Sequence, residues 1–179
     1  MNPTPILYTI GHSDRSLDEL LELLLAMELR VVVDIRANPR SRRYPHFNQA
    51  ELQLAIGQIG LGYHWAGRQL GGLRSSNPRS PHIALPEELR GFADYMGSES
   101  FQVGATQLTS LAHRVPTTLL CAEREPEHCH RSLISDYLTL QGLQIIHFLS
   151  QRDYREHRLS PWVRRESATL IYDRTPIPS

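Results

Sequence analysis

Val115-Pro-Thr-Thr-Leu-Leu-Cys-Ala-Glu-Arg-Glu-Pro-Glu-His-Cys-His-Arg-Ser-Leu-Ile-Ser-Asp-Tyr-Leu138 reads as three pieces. The apolar run predicts a buried strand over 117–122. Ser132 onward opens a helical pattern, predicted over about 132–141 and stopped by Gly142. Between them, Cys121 to Arg131 holds both cysteines, two of the nine histidines, two arginines and three glutamates. A strand that passes through a polar loop into a helix is the unit of a parallel α/β sheet. The loop also sits over a helix N-terminus, where backbone N–H groups and the helix dipole attract anions.

The same alternation extends outward. Ile6–Ile10 predicts a buried strand and Gly11–Arg15 a turn. Ser16 then serves as N-cap, with Glu19 at the capping-box position and Leu17, Leu20, Leu21, Leu24 and Leu25 on one helical face. Arg30–Arg36 reads as a β-branched buried strand, and 37–46 as a Pro-punctuated basic loop. Asn48 caps a helix carrying Leu52, Leu54, Ile56 and Ile59 that ends at Gly60, and a short strand covers 61–65. Residues 67–86 are rich in Gly, Ser and Pro and too long for a simple connection, as in a functional lid or a mobile segment. Helices over 86–96 and 101–113 precede the central strand. A core strand over 144–149 follows it, and the tail from Gln151 holds an edge strand at 168–172. The expectation is an α/β fold in three layers, α/β/α, around a mostly parallel sheet. A single domain spans 1–179, with its core at about 7–149 and a tail at 151–179.

The composition sets bounds on function. Hydrophobic residues make up 40% and charged residues 21%, as in ordinary globular chains, and no run approaches a membrane span. Two cysteines and no signal-peptide pattern at Met1–Pro5 imply a cytoplasmic protein with no membrane partner. The formal net charge of zero disfavours a broad nonspecific grip on nucleic acid. All 19 basic residues are arginine, so Schiff-base lysine chemistry and a P-loop lysine are excluded.

In an open parallel sheet, ligands sit beyond the carboxyl ends of the strands. Four polar clusters follow predicted strand ends: Gly11-His-Ser13, Asp34-Ile-Arg36 with Pro39–Arg42, Leu70-Gly-Gly-Leu-Arg74, and Cys121–Arg131. Their convergence predicts an anion pocket in which Ser13, Arg36, Arg42, Gly71, Gly72, Arg74 and Arg131 bind substrate. His12, Asp34, Glu123, Cys129 and His130 are the catalytic candidates. Arg40, Arg43 and Arg124 are as readily solvated or paired with glutamate. Asp34 is equally a general base or a holder of Arg36, and Glu123 is the better acid/base candidate. Cys129, near the helix start and beside His130 and Arg131, is the candidate thiolate, and Cys121 is core or its partner. A zinc site from Cys121, His128, Cys129 and His130 is the weaker alternative, because adjacent ligands strain a tetrahedron. No metal or cofactor is expected. His46, His64, His82, His113, His147 and His157 read as core or surface histidines, and Tyr63 and Trp65 as core or pocket wall.

Thr9-Ile-Gly-His-Ser13, Val33-Asp-Ile-Arg36, Pro39-Arg-Ser-Arg42, Pro45-His-Phe-Asn48, Leu70-Gly-Gly-Leu-Arg74, Phe92-Ala-Asp-Tyr-Met96 and Cys121-Ala-Glu with Pro126–Arg131 resemble, in order, the family numbered 488 among the domains of unknown function. The resemblance implies a small α/β protein and a site, but no reaction. A looser similarity is to rhodanese-like domains, in Asp34-Ile-Arg36 and the Cys121 to Arg131-Ser132 loop. That loop is longer than the tight rhodanese cradle. The leading expectation is an enzyme acting on a phosphate-bearing substrate, a nucleotide or nucleic acid, with hydrolysis as one reaction of that class. The alternatives are cysteine-based sulfur transfer or redox chemistry, and a non-catalytic nucleotide or nucleic-acid binding module.

Overall fold

The computed structural model describes residues 3–175. Six strands form the main sheet in the order β3-β2-β4-β1-β5-β6. Strands β1 (Ile6–Gly11), β2 (Val31–Asp34), β3 (Gly62–Trp65), β4 (Thr117–Cys121) and β5 (Gln144–Phe148) run parallel, and β6 (Tyr154–Glu156) closes one edge antiparallel. Successive side chains on a strand point to opposite faces. Val32 and Leu120 therefore join one apolar layer, while Val33 and Leu119 join the other.

The first layer is closed by α1 (Leu17–Ala26) and α2 (Gln49–Gln58), through Leu20, Leu24, Leu52 and Ile56. The second is closed by α3 (Gly67–Leu70), α4 (Glu87–Tyr95), α5 (Glu99–Arg114) and α6 (Arg131–Leu140), through Leu70, Phe92, Phe101, Leu108 and Ile134. This is the expected three-layer α/β/α arrangement around a mostly parallel sheet. Among the described residues, no helix is long and apolar enough to cross a membrane.

Local chemistry accounts for the element boundaries. Ser16 Oγ accepts the Glu19 N–H and starts α1. Gly60 and Gly142 end their helices at positive φ, +84° and +96°. The details depart from the periodicity in four places. Leu25 and Leu54 point to solvent, and Leu23 fills the α1 core position instead. The Asn48 side chain does not cap α2, because its Oδ1 accepts the Ser41 N–H across the basic loop. The stretch 67–86 begins with the short helix α3. The tail strand β8 (Thr169–Tyr172) is not an edge of the main sheet. It pairs with β7 (Val163–Glu166) in a separate hairpin, and the edge belongs to β6.

The chain leaves β1 through α1 on one face and leaves β4 through α6 on the other. Adjacent strands whose connections depart to opposite faces open a crevice at their carboxyl ends. The loops after β1 and β4 meet there, with His12 N–H bonded to Cys121 O and Ser13 N–H to Ala122 O, each at 2.9 Å.

Candidate active site

The crevice holds a cleft of about 410 Å³ lined by His12, Arg36, Arg40, Gly72, Glu88, Cys121, Glu123, His128, Cys129 and His130, among others. Residues from all four polar clusters therefore share one wall. Two glycines allow this approach. A Cβ on Gly11 would overlap the Glu123 carbonyl, and one on Gly72 would enter the His130 ring.

Arg131 opens α6 and is fully buried, with 0% exposure. Its Nη1 donates to the Glu123 carbonyl at 2.5 Å and to Cys121 Sγ at 2.6 Å, and its Nη2 donates to the Arg124 carbonyl at 2.7 Å. Its Nε has no partner. Among the described residues no carboxylate forms an ion pair with it. A buried cation is costly unless an anion neutralises it. The nearest contact able to become an anion is the Cys121 thiol.

Cys121 and Cys129 are both free, and their sulfurs lie 2.9 Å apart with Cys129 donating. Burial opposes ionisation of Cys121. The hydrogen bond from Cys129 and the Arg131 guanidinium outweigh burial and lower its pKa. Cys129 moves the other way: burial and the neighbouring Cys121 raise its pKa well above the ordinary thiol range. The guanidinium thus favours Cys121, not Cys129, as the thiolate of the pair. Proximity in sequence to His130 and Arg131 pointed to Cys129, but the Arg131 side chain folds back toward the end of β4.

His130 Nε2 faces the Leu70 carbonyl at 2.9 Å, so it carries the proton, and Nδ1 is left as an acceptor 3.7 Å from Cys129 Sγ. His12 is ordered the same way. Its Nδ1 donates to the Ser13 carbonyl at 2.9 Å, leaving Nε2 toward Arg36 Nη1 at 3.5 Å.

Arg36 is held by Asp34 through two parallel bonds, Nε to Oδ1 at 2.9 Å and Nη2 to Oδ2 at 2.7 Å. Asp34 also accepts the Arg36 N–H and the Tyr63 hydroxyl, has 0% exposure, and does not line the cleft. Its geometry is that of a holder for Arg36. Tyr63 is neither plain core nor pocket wall, and Trp65 Nε1 donates to the Arg36 carbonyl.

Four further predicted residues stand outside the cleft lining. Arg74 is folded onto the Gly71 and Arg68 carbonyls and stacks 3.7 Å over the Tyr95 ring. Arg42 is exposed on the basic loop. Ser13, at φ 50°, turns its hydroxyl to Asp14, and Gly71 packs against Gly67 and Ala37. Two of the expected cations are therefore engaged from within. Asp34 matches Arg36, and the Cys121 sulfur faces Arg131. Among the described residues, no group of three His, Cys, Asp or Glu side chains is arranged to hold a metal ion.

A second constellation escaped the sequence. His147 and His157, ten residues apart and read as scattered, meet Asp136 in one chain of hydrogen bonds. Thr9 Oγ1 lies 2.6 Å from His147 Nδ1, His147 Nε2 lies 2.8 Å from His157 Nδ1, and His157 Nε2 lies 2.7 Å from Asp136 Oδ1. The available signal was weak: His147 alternates inward on β5, and Asp136 lies on the buried face of α6.

Burial lowers the pKa of His12 and of His130 to about 4, and that of His147 to about 3. These rings stay neutral in the folded state while the unfolded chain takes up protons below about pH 6.5. Each contribution is therefore absent above that pH and becomes destabilising as pH falls from there to about 4, or to about 3 for His147. Urea midpoints measured from pH 7 to pH 4 are expected to fall steadily. A flat profile would mean that these rings are protonated in the native state.

A family profile described as "Domain of unknown function DUF488" matches residues 16–138. No curated protein and no solved structure matches the chain.

Proposed function

The chain belongs to the DUF488 family of proteins of unknown function, and from its cleft we propose two-cysteine thiol chemistry, with Cys121 as nucleophile and Cys129 as resolving thiol. The observation that carries this reading is the fully buried Arg131, which lacks a carboxylate partner and touches Cys121 Sγ at 2.6 Å. A thiolate at that point satisfies the guanidinium and is itself held ready at neutral pH.

The reaction that fits is exchange with a small disulfide. The Cys121 thiolate attacks one sulfur of R–S–S–R′, forming Cys121–S–S–R and releasing R′–S⁻. Cys129 gives up its proton, with His130 Nδ1 as the nearest acceptor, and attacks Cys121 Sγ. R–S⁻ leaves and the two cysteines are joined. The substrate gains two electrons, the protein loses two, and a dithiol reductant returns the pair to its starting state. Arg131 N–H, at the start of α6, lies 3.4 Å from Cys129 Sγ and favours negative charge there as that thiol ionises.

A phosphate-bearing substrate is favoured by Arg36 and Arg40 on the cleft wall. It is disfavoured by the engagement of Arg36 with Asp34 and of Arg131 with Cys121, and by the position of Arg42 and Arg74 outside the lining.

Alkylation separates these readings. Reduced protein treated briefly with iodoacetamide between pH 6 and pH 9 and mapped by mass should carry the label on Cys121 at neutral pH. Treatment with bis(2-hydroxyethyl) disulfide should yield an internal Cys121–Cys129 disulfide. Labelling of both thiols only above about pH 8.5, the unperturbed range, would remove the proposal.

A further inference from the structure

A second cavity, of about 910 Å³, lies between α6, β6 and the segment 157–162, away from the cysteine sulfurs. Its size suits a small organic ligand. Leu85, Leu89, Pro126, Leu133 and Trp162 give it apolar walls, and Asp136, His147 and His157 give it a polar floor.

Asp136 is the informative group. It is 1% exposed and lines the cavity. Its acceptor contacts are His157 Nε2 at 2.7 Å, the Ser160 N–H at 3.1 Å and the Tyr172 hydroxyl at 2.9 Å. Among the described residues no arginine pairs with it. Hydrogen bonds link Thr9, His147, His157 and Asp136 in one chain across the floor.

Arg155 on the wall is matched by Glu125 at 2.7 Å and Glu127 at 3.4 Å. A buried carboxylate without a guanidinium, facing an apolar chamber, is complemented by a cation on an apolar body.

We propose that this cavity binds an organic cation, an amine or guanidine on an apolar or aromatic frame, with its charge at Asp136 and its frame against Trp162 and Leu89. The site is independent of the thiol reading.

Calorimetric titration of the full chain with phenethylamine, phenethyl alcohol and phenylacetate tests it. Saturable binding of the amine is expected, at least about tenfold tighter than either isostere. Asp136→Asn should lose that preference. Ala84→Trp, which puts a ring into the chamber without altering Asp136, should abolish binding while thermal unfolding stays cooperative. Equal binding of the three probes, no saturable amine binding, or amine binding retained in Ala84→Trp would overturn the proposal.

Discussion

Cys121→Ser is expected to destabilise the protein by about 3–5 kcal/mol, the cost of leaving a buried charge unpaired. Cys129→Ser is expected to cost far less. Both side chains are buried and similar in size, so lost packing alone would make the two variants comparable. The difference comes from Arg131. A serine hydroxyl at 121 can accept its N–H but does not ionise, so the guanidinium stays charged without an anion. Cys129 is the weaker charge partner of that guanidinium, because burial and Cys121 hold its thiol protonated, so its loss leaves the cation matched. Urea denaturation of the single variants and of Cys121→Ser/Arg131→Met isolates the coupling. The double variant should recover much of the loss, because the orphaned charge is gone. The pH dependence has a definite sign. Cys121 has a lowered folded pKa, so its stabilisation is complete above the unfolded thiol value and fades as pH falls through the folded one. Equal costs for the two serine variants would show that the thiolate–guanidinium pair carries no stability.

Asp136→Ala is expected to release the carboxyl-terminal segment from α6. This one carboxylate accepts from His157, the Ser160 backbone and Tyr172, which lie in three successive parts of the tail. Truncation leaves three donors without their acceptor, two of them on side chains that are almost fully buried. Each unsatisfied buried group costs about 1–3 kcal/mol. Tyr172 has 0% exposure and packs in the same apolar layer as Leu133 and Leu138, so its displacement also opens the core. The variant should show a markedly lower melting temperature and rapid tryptic cleavage at Arg155, Arg158, Arg164 or Arg165. Asp136→Asn keeps one acceptor oxygen and should be milder. A tail as protease-resistant in Asp136→Ala as in the parent would mean that β7 and β8 are held by packing alone.

The layer architecture was legible because its signals are local. Val31 to Val33 and Thr117–Cys121 are β-branched or apolar throughout, and Ser16, Gly60 and Gly142 act on their nearest neighbours. The meeting of His12, Arg36, Cys121 and His130 at one edge was also legible, since parallel strands bring their carboxyl ends together. The partners of the charges were not. Whether Arg131 points out to a ligand or back onto Cys121 depends on how Glu123 and Arg124 loop over Gly11, a contact 112 residues apart in number. Arg74 read as a substrate ligand because its cluster follows a predicted strand end. Its stacking on Tyr95 required knowing where α4 lies. The Asp136–His157–His147 chain joins a helix, a strand and the tail. Histidines at unrelated positions carry no periodicity from which such a meeting could be read.

If the cysteine pair works as proposed, the isolation of Arg131 sets its redox poise. Joining the two sulfurs consumes the thiolate and strands the guanidinium among carbonyls, so the oxidised protein lies uphill of the reduced one. A disulfide whose reduced form is favoured in this way is a strong oxidant, quickly surrendered to an incoming dithiol. In the proposed chemistry, the same cation that sharpens Cys121 for attack makes the resulting bond short-lived, which suits a centre that passes electrons onward rather than one that stores a crosslink.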